Sequence, residues 1–347
     1  MRHQARVGII ADQPLQQHLL QNVIVEEGYE VGVNTHPEKV NAALLRSDTI
    51  SVWVVNLVDS DAWDDVLEQI LDHSCAPVFF GDGKAPDRNS AEFPSWRRRI
   101  ITKLKEFSDP IAEVKSAPVL DLDALINANR VDPSDVIKLP ARFRYANPSQ
   151  VDHVCVVAAS LGGPSPVKEF FDRIPADLPA AFLYAQHIDE GCIDALVASV
   201  GRHTELKMEL VSEGCQLENG KILVVPVSRE IQFQANHTVE ILENGWSGPY
   251  GPSIDHLFKN VVARYKNMTS AIVFSGMGSD GTLGATSIVE AGGTVWAQDR
   301  QSAIEPSMPD SVSEAGYVSF RGSPEQLARK FVEQLLTDTT SLEVTAT

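Results

Sequence analysis

Val154-Cys155-Val156-Val157-Ala158-Ala159-Ser160-Leu161-Gly162-Gly163-Pro164 begins with six apolar residues and no polar alternation. Such a run suits a strand buried on both faces, as in a parallel sheet covered by helices. It breaks at Ser160-Leu161-Gly162-Gly163, and Pro164 then opens a helix, a position where its missing N–H is not needed. The same strand-then-turn pattern recurs downstream. Ala180–Ala185 ends at Gln186-His187, Ala271–Phe274 ends at Ser275-Gly276-Met277-Gly278-Ser279-Asp280-Gly281, and Thr294–Ala297 ends at Gln298-Asp299. Lys221–Val225 reads as a further strand, and Glu230–Ala235 with Val239–Glu243 reads as a hairpin. Helical spacing appears at Ile193, Leu196, Val197 and Val200, at Leu257, Phe258, Val261 and Val262 after the cap Ser253, and over Leu327–Leu335. This alternation predicts an α/β domain with a doubly wound parallel sheet over residues 151–340, followed by a tail over 341–347.

The first third predicts a smaller α/β domain over residues 1–107. Its strands are Val7–Ala11, Glu30–Asn34, Ile50–Val55 and Pro77–Phe80. A helix carrying Leu15, Leu19, Val23 and Ile24 follows the first strand, with Asp12 as its cap and Gly28 as its stop. Further helices are expected over Pro37–Arg46, around Trp63 to Leu71, and around Trp96 to Leu104. Residues 108–150 are interrupted by Pro110, Pro118, Pro133, Pro140 and Pro148 and read as a linker with one short helix at Asp121–Ile126.

Composition narrows the function classes. A chain of 347 residues suffices for two domains, and 43% hydrophobic with 22% charged residues is ordinary for a folded protein. A formal net charge of −18 disfavours binding to nucleic acid or anionic lipid. No stretch approaches the roughly 18 apolar residues of a membrane helix. No basic-then-apolar leader precedes the first strand, so a cytoplasmic location without membrane insertion is expected. Cys75, Cys155, Cys192 and Cys215 lack Cys-x-x-Cys or zinc spacing and read as plain thiols, with no metal site. Arg97-Arg98-Arg99 points to different sides of its helix and reads as a solvated face.

Three apolar strands thus end near Ser160, His187 and Asp280. The C-terminal edge of an open parallel sheet is where ligands bind, and it can gather residues distant in sequence. Ser supplies a nucleophilic hydroxyl, His moves its proton, and Asp orients the His and stabilises its cation. The Leu161 and Met277 N–H groups are oxyanion-hole candidates. Gly162, Gly163, Gly276 and Gly278 permit the tight turns that would present them. Each residue also has a structural reading: Ser160 or Asp280 as a helix cap, His187 as a buried strand-end residue. The glycine turn lacks G-x-G-x-x-G spacing and a Walker lysine, so no nucleotide cofactor is expected.

The segments Ala159–Gly163, Gln186-His187, Gly220–Pro226, Pro252-Ser253-Ile254-Asp255 with Leu257-Phe258, Ser275–Gly281, Ala297-Gln298-Asp299 and Met308-Pro309 together resemble the chemotaxis-type protein-glutamate methylesterases. The resemblance runs from about Val154 to Ala315. It implies a catalytic triad of Ser160, His187 and Asp280 and an active-site loop that includes Met308. It implies hydrolysis of glutamyl methyl esters on the cytoplasmic helices of methyl-accepting chemoreceptors, glutamine deamidation in many members, and no cofactor. A chemosensory histidine kinase is a further implied partner. Two departures stand out. Leu161 follows the nucleophile where the family has Thr, and Ile304-Glu305-Pro306-Ser307 precedes Met308 where Gly is usual. They motivate an alternative reading, a weakly active or inactive esterase-like adaptor that binds receptors or kinase.

The first domain resembles a receiver (flavodoxin-like) domain in truncated, degenerate form. A receiver is phosphorylated on an aspartate at the end of its third strand, and Asn56 stands there. It needs paired acids after its first strand, and Ala11-Asp12 offers one. The threonine after the fourth strand is not evident at Phe80-Gly81-Asp82, and the final strand with Lys-Pro is absent. Asp59 and Asp61 are poor substitutes, lying in the following loop.

Overall fold

The computed structural model describes residues 5–58, 60–81, 84–86, 88, 90, 92–108, 136–140, 143–145, 147–149, 151–248 and 250–345. The chain divides into two compact units, Met1–Arg130 and Val131–Thr347.

In the first unit, β1 (Arg6–Ala11), α1 (Pro14–Glu26), β2 (Glu30–Thr35), α2 (Ala42–Leu45), β3 (Val52–Asn56), α3 (Asp64–His73), β4 (Val78–Phe80) and α4 (Phe93–Ser108) alternate. The strands form one parallel sheet in the order β2-β1-β3-β4. β3 is buried along its whole length, as its unbroken apolar run requires. Two local expectations are corrected. Asp12 does not cap α1. Pro14 sets the helix start, and the Asp12 carboxylate instead accepts the Val58 N–H at 3.1 and 3.0 Å. The helix expected over Pro37–Arg46 is split: Asn41 is extended and accepts the Leu44 N–H at 3.0 Å, restarting the helix after a single 3-10 turn at Pro37–Lys39. The short helix expected at Asp121–Ile126, and Asp59 and Asp82, lie outside the described residues, as does the side chain of Asp61.

The second unit holds β5 (Val154–Ala159), α5 (Pro164–Phe171), β6 (Ala181–Gln186), α6 (Ile193–Gly201), β7 (Lys207–Leu210), β8 (Lys221–Val224), β9 (Ile231–Phe233), β10 (Val239–Ile241), α7 (Ile254–Tyr265), β11 (Thr269–Val273), α8 (Thr282–Glu290), β12 (Thr294–Gln298), α9 (Ser307–Glu314), β13 (Val318–Gly322) and α10 (Pro324–Thr345). α10 therefore runs into the segment expected to be a tail, since no Gly or Pro interrupts the chain after Pro324. β9 and β10 form the expected antiparallel hairpin.

The main sheet is seven-stranded and parallel, in the order β13-β12-β11-β5-β6-β8-β7. The chain moves from β5 outward to β6 and β8 on one side, then returns to place β11, β12 and β13 on the other. The order reverses between β5 and β11, and in such sheets the crevice outside the strand C-termini at that reversal is the binding place. One sheet face packs Leu257, Phe258 and Val261 of α7, Ala285 and Ile288 of α8 and Val312 of α9 against Val156, Ala158, Leu183, Ala271 and Val273. On α5, Phe170 packs against Phe182, Phe274 and Phe331 with ring centroids 6.4, 5.6 and 6.3 Å apart. Burying one such ring contributes roughly 1.5–3 kcal/mol, so these layers hold the strand ends in fixed register.

The end of the predicted linker is not free chain. Ile137 N–H donates to Arg173 O at 3.0 Å, Tyr145 N–H donates to Asp177 O at 3.3 Å, and Leu139 and Phe143 are buried. Among the described residues no helix is long and apolar enough to cross a membrane.

Candidate active site

Parallel pairing brings the strand ends level. Ala158 pairs with both Val273 and Ala185, and Ala159 pairs with Gln186. The pairing continues past the strands: Ser160 N–H donates to Ser275 O at 3.0 Å and His187 N–H donates to Ala159 O at 3.0 Å. Ser160, His187 and the Ser275–Asp280 loop therefore share one edge of the sheet, at the reversal between β5 and β11.

Asp280 is the most constrained member. It is 2% exposed, and its Oδ2 lies 3.0 Å from His187 Nε2. The same oxygen accepts the Ile254 N–H at 2.8 Å, while Oδ1 accepts the Asp255 and Gly281 N–H groups, each at 3.0 Å. Asp280 is thus not the cap of its own following helix α8, whose N-cap is Gly281. It closes the N-terminus of α7 from across the site, where the helix dipole favours a negative charge. Burial pushes its pKa up, but the hydrogen bond and charge of His187 and the Ile254 and Asp255 N–H groups outweigh this and hold it below the usual aspartate value.

The His187 side chain is only 13% exposed, and its Nε2 also lies 3.1 Å from Pro252 O. Both neighbours of Nε2 are acceptors, so Nε2 carries the proton. Nδ1 is then the nitrogen with a lone pair to offer. Tyr250 stacks on the imidazole, with centroids 5.0 Å apart and planes 9° apart.

The Ser160 hydroxyl makes no hydrogen bond with any described residue, to His187 included, and it caps nothing; the N-cap of α5 is Gly163. The structure therefore joins His187 to Asp280 and sets Ser160 beside them without a closed hydroxyl–imidazole bond. Catalytic hydrogen bonds are often long without substrate. The Leu161 and Met277 N–H groups donate to no described residue, as suits donors reserved for a ligand. Gly162 takes φ of +69°, which a side chain would strain.

Four residues to which the sequence reading gave no role contact the backbone of the site or its imidazole. The Gln186 amide donates to Ser160 O at 2.6 Å and to His187 O at 3.1 Å, while its oxygen accepts from Tyr184 OH at 2.8 Å. The Ser275 hydroxyl donates to Leu161 O at 2.8 Å and accepts the Glu305 N–H at 2.8 Å. Gln298 accepts the Ser275 N–H at 2.8 Å. The fourth is Tyr250. The available signal for the first three was a polar side chain terminating an apolar strand; Tyr250 sits in an aperiodic loop and gave none.

Gly276 shows why this loop tolerates no side chain. A Cβ there would sit 2.6 Å from Met308 Sδ and 2.9 Å from Ser160 Cβ, and Met308 is fully buried. The thioether can yield, but Ser160 is tied by its backbone. We expect Gly276→Ala to lower kcat/KM on the order of 100-fold, the cost of a displacement near 1 Å. Parent-like turnover, with unchanged circular dichroism, would show that the serine position has more slack than these contacts allow.

The family model for CheB methylesterase matches residues 155–331, which is 177 of the 347 residues and includes Ser160, His187 and Asp280. The chain belongs to the CheB methylesterase family. A protein-glutamate methylesterase/protein-glutamine glutaminase of Saccharophagus degradans is 32% identical over 161 residues, covering 46% of this chain and 44% of that protein. One from Thermotoga maritima is 27% identical over 222 residues, covering 62% of this chain and 64% of that protein. The CheB methylesterase catalytic domain from Thermotoga maritima superposes with a TM-score of 0.50 and 26% identity, covering 52% of this chain and 98% of that structure. The chain spans less than half the length of the first curated CheB relatives it matches. The CheB match leaves the first unit outside, and its small parallel sheet is compatible with a receiver-like domain.

Proposed function

We propose that this protein is a serine-type hydrolase that removes methyl groups from glutamyl side chains on the cytoplasmic helices of methyl-accepting chemoreceptors. The observation that carries this reading is the His187–Asp280 pair, Nε2 to Oδ2 at 3.0 Å, beside the Ser160 turn at the reversal of the sheet. Ser160 Oγ attacks the ester carbonyl as its proton passes to His187 Nδ1. The Leu161 and Met277 N–H groups hold the tetrahedral oxyanion. The imidazolium, held by the Asp280 carboxylate, returns the proton to the methoxide oxygen, and methanol leaves. Water then attacks the acyl-enzyme by the same route and frees Ser160 and a glutamate carboxylate. These steps balance without a metal or cofactor. The relatives are named glutaminases as well, which extends the proposal to a glutamine side chain, with ammonia in place of methanol. Each methyl removed restores one negative charge on a receptor helix, changing repulsion between neighbouring helices. Such a reaction places the protein in the cytoplasm, in adaptation of a chemosensory pathway, with the pathway's histidine kinase as a second partner.

The test is release of volatile methanol from receptor carrying isotope-labelled methyl esters. Release at a rate proportional to enzyme supports the proposal; binding of receptor without release would favour the adaptor reading instead.

The first unit has a separate role in this proposal, one without phosphorylation. Asn56 is fully buried at the end of β3, and its amide donates to Gln16 Oε1 at 3.3 Å. Gln16 Oε1 also accepts the Ala85 N–H at 2.8 Å, so a neutral side chain occupies the ground where a phosphorylatable site needs acids and Mg²⁺. An amide is a poor nucleophile toward phosphoryl groups. Incubation with acetyl phosphate and Mg²⁺ is expected to leave no aspartyl phosphate on the protein, read by intact mass. An added phosphoryl group on any residue of this unit would overturn the assignment.

A further inference from the structure

The segment Tyr250–Asp255 touches both partners of Ser160. Its Pro252 carbonyl lies 3.1 Å from His187 Nε2, and its Ile254 and Asp255 N–H groups bind Asp280 at 2.8 and 3.0 Å. Its first residue, Tyr250, lies nearly parallel to the imidazole, 5.0 Å away between centroids. Tyr250 is 39% exposed, so the ring stacked on the largely buried imidazole is itself open to solvent. A Cβ at Gly278 would sit 3.1 Å from Tyr250 OH, so the same ring also borders the loop carrying the Met277 N–H.

Two acceptors at Nε2 fix one point of the imidazole but leave it able to swing about that point. A ring can be held in plane by a flat neighbour on its face, and that is what Tyr250 supplies. We propose that Tyr250 is a positioning residue: its ring holds the His187 imidazole in the plane that presents Nδ1 to the Ser160 hydroxyl, while the two acceptors at Nε2 fix the tautomer. The π face is also attractive to the imidazolium formed when Ser160 loses its proton. The inference rests on the reading of Ser160 and His187 given above. It adds a residue that touches neither the ester nor the nucleophile and acts through the base.

The test compares Tyr250→Phe with Tyr250→Leu in the full chain. Its two readouts do not need the receptor: the rate at which a fluorophosphonate ester labels Ser160, and the ¹⁵N-imidazole spectrum of His187. Tyr250→Phe keeps the flat face and should label within about twofold of the parent, with the His187 spectrum unchanged. Tyr250→Leu should label about tenfold more slowly, with the His187 ring signals broadened by motion about Nε2 and the thermal midpoint unchanged. Where methyl ester turnover is measured, the same variant should lose kcat with KM nearly constant. Equal labelling and an unchanged spectrum in Tyr250→Leu overturn the proposal, as does an equal loss in Tyr250→Phe, which would assign the effect to the hydroxyl. A parent that labels at Ser160 yet releases no methanol from receptor would defeat the substrate reading while leaving this one standing. In a parent that does not label at all, the ¹⁵N-imidazole spectrum of Tyr250→Leu decides: motional broadening of the His187 ring signals supports the role and an unchanged spectrum removes it.

Discussion

Ser160→Ala is expected to reduce methanol release from methylated receptor by about 10,000-fold or more, to the level that an oxyanion hole and binding alone sustain. The size follows from the chemistry. Without Oγ no acyl-enzyme forms, and His187 has no hydroxyl proton to accept. The fold should survive, because the Ser160 side chain makes no hydrogen bond with a described residue, while its backbone N–H and carbonyl keep their bonds to Ser275 and Gln186. A receptor-binding assay on the same variant should give parent-like affinity. Release at the parent rate would remove Ser160 from the mechanism and with it the serine-type reading.

Asp280→Asn should cost nearly as much, about 10,000-fold in kcat, although it alters only charge and one atom type. In the parent, all four partners of this carboxylate donate to it: His187 Nε2–H and the N–H groups of Ile254, Asp255 and Gly281. An asparagine amide can accept at one oxygen only. If that oxygen keeps Asp255 and Gly281, the NH₂ group faces two donors. His187 can relieve the conflict by moving its proton to Nδ1, which takes away the lone pair needed by Ser160. The Ile254 N–H then stays buried and unsatisfied, a loss of about 1–3 kcal/mol of stability. Acid unfolding gives a second reading of the same residue. Because its folded pKa is depressed, the Asp280 carboxylate contributes stability above about pH 3.9, the ordinary aspartate value. That contribution is lost as pH falls through the lower folded value. The variant should lack this acid limb in denaturant titrations run from pH 5 downward. Retention of full activity by Asp280→Asn would show that the 3.0 Å pair is only structural.

Much of the scaffold was readable in advance. The unbroken apolar runs at Val154–Ala159, Ala180–Ala185 and Ala271–Phe274 behaved as doubly buried strands, being too short for buried helices and each ending at a turn. Ser253 capped its helix as expected, accepting the His256 N–H at 3.4 Å. Asp12 did not cap α1, because a carboxylate at a strand end has several donors within reach and chain proximity does not rank them. The helix at Pro37–Arg46 was broken by an Asn41 cap, a local competition that apolar spacing does not reveal.

Residue order and type alone settled the strand–helix alternation, the strand-end residues at 160, 187 and 280, and the neutral amide at Asn56, because periodicity and chemical class are properties of a chain read one residue at a time. Folding in three dimensions decided the rest: which nitrogen of His187 carries the proton, that Asp280 serves the helix starting at Ile254 rather than its own, and that Tyr250 faces the imidazole. Those outcomes depend on distances between segments 26 to 93 residues apart in the chain, and such distances exist only once the sheet has set its order and register.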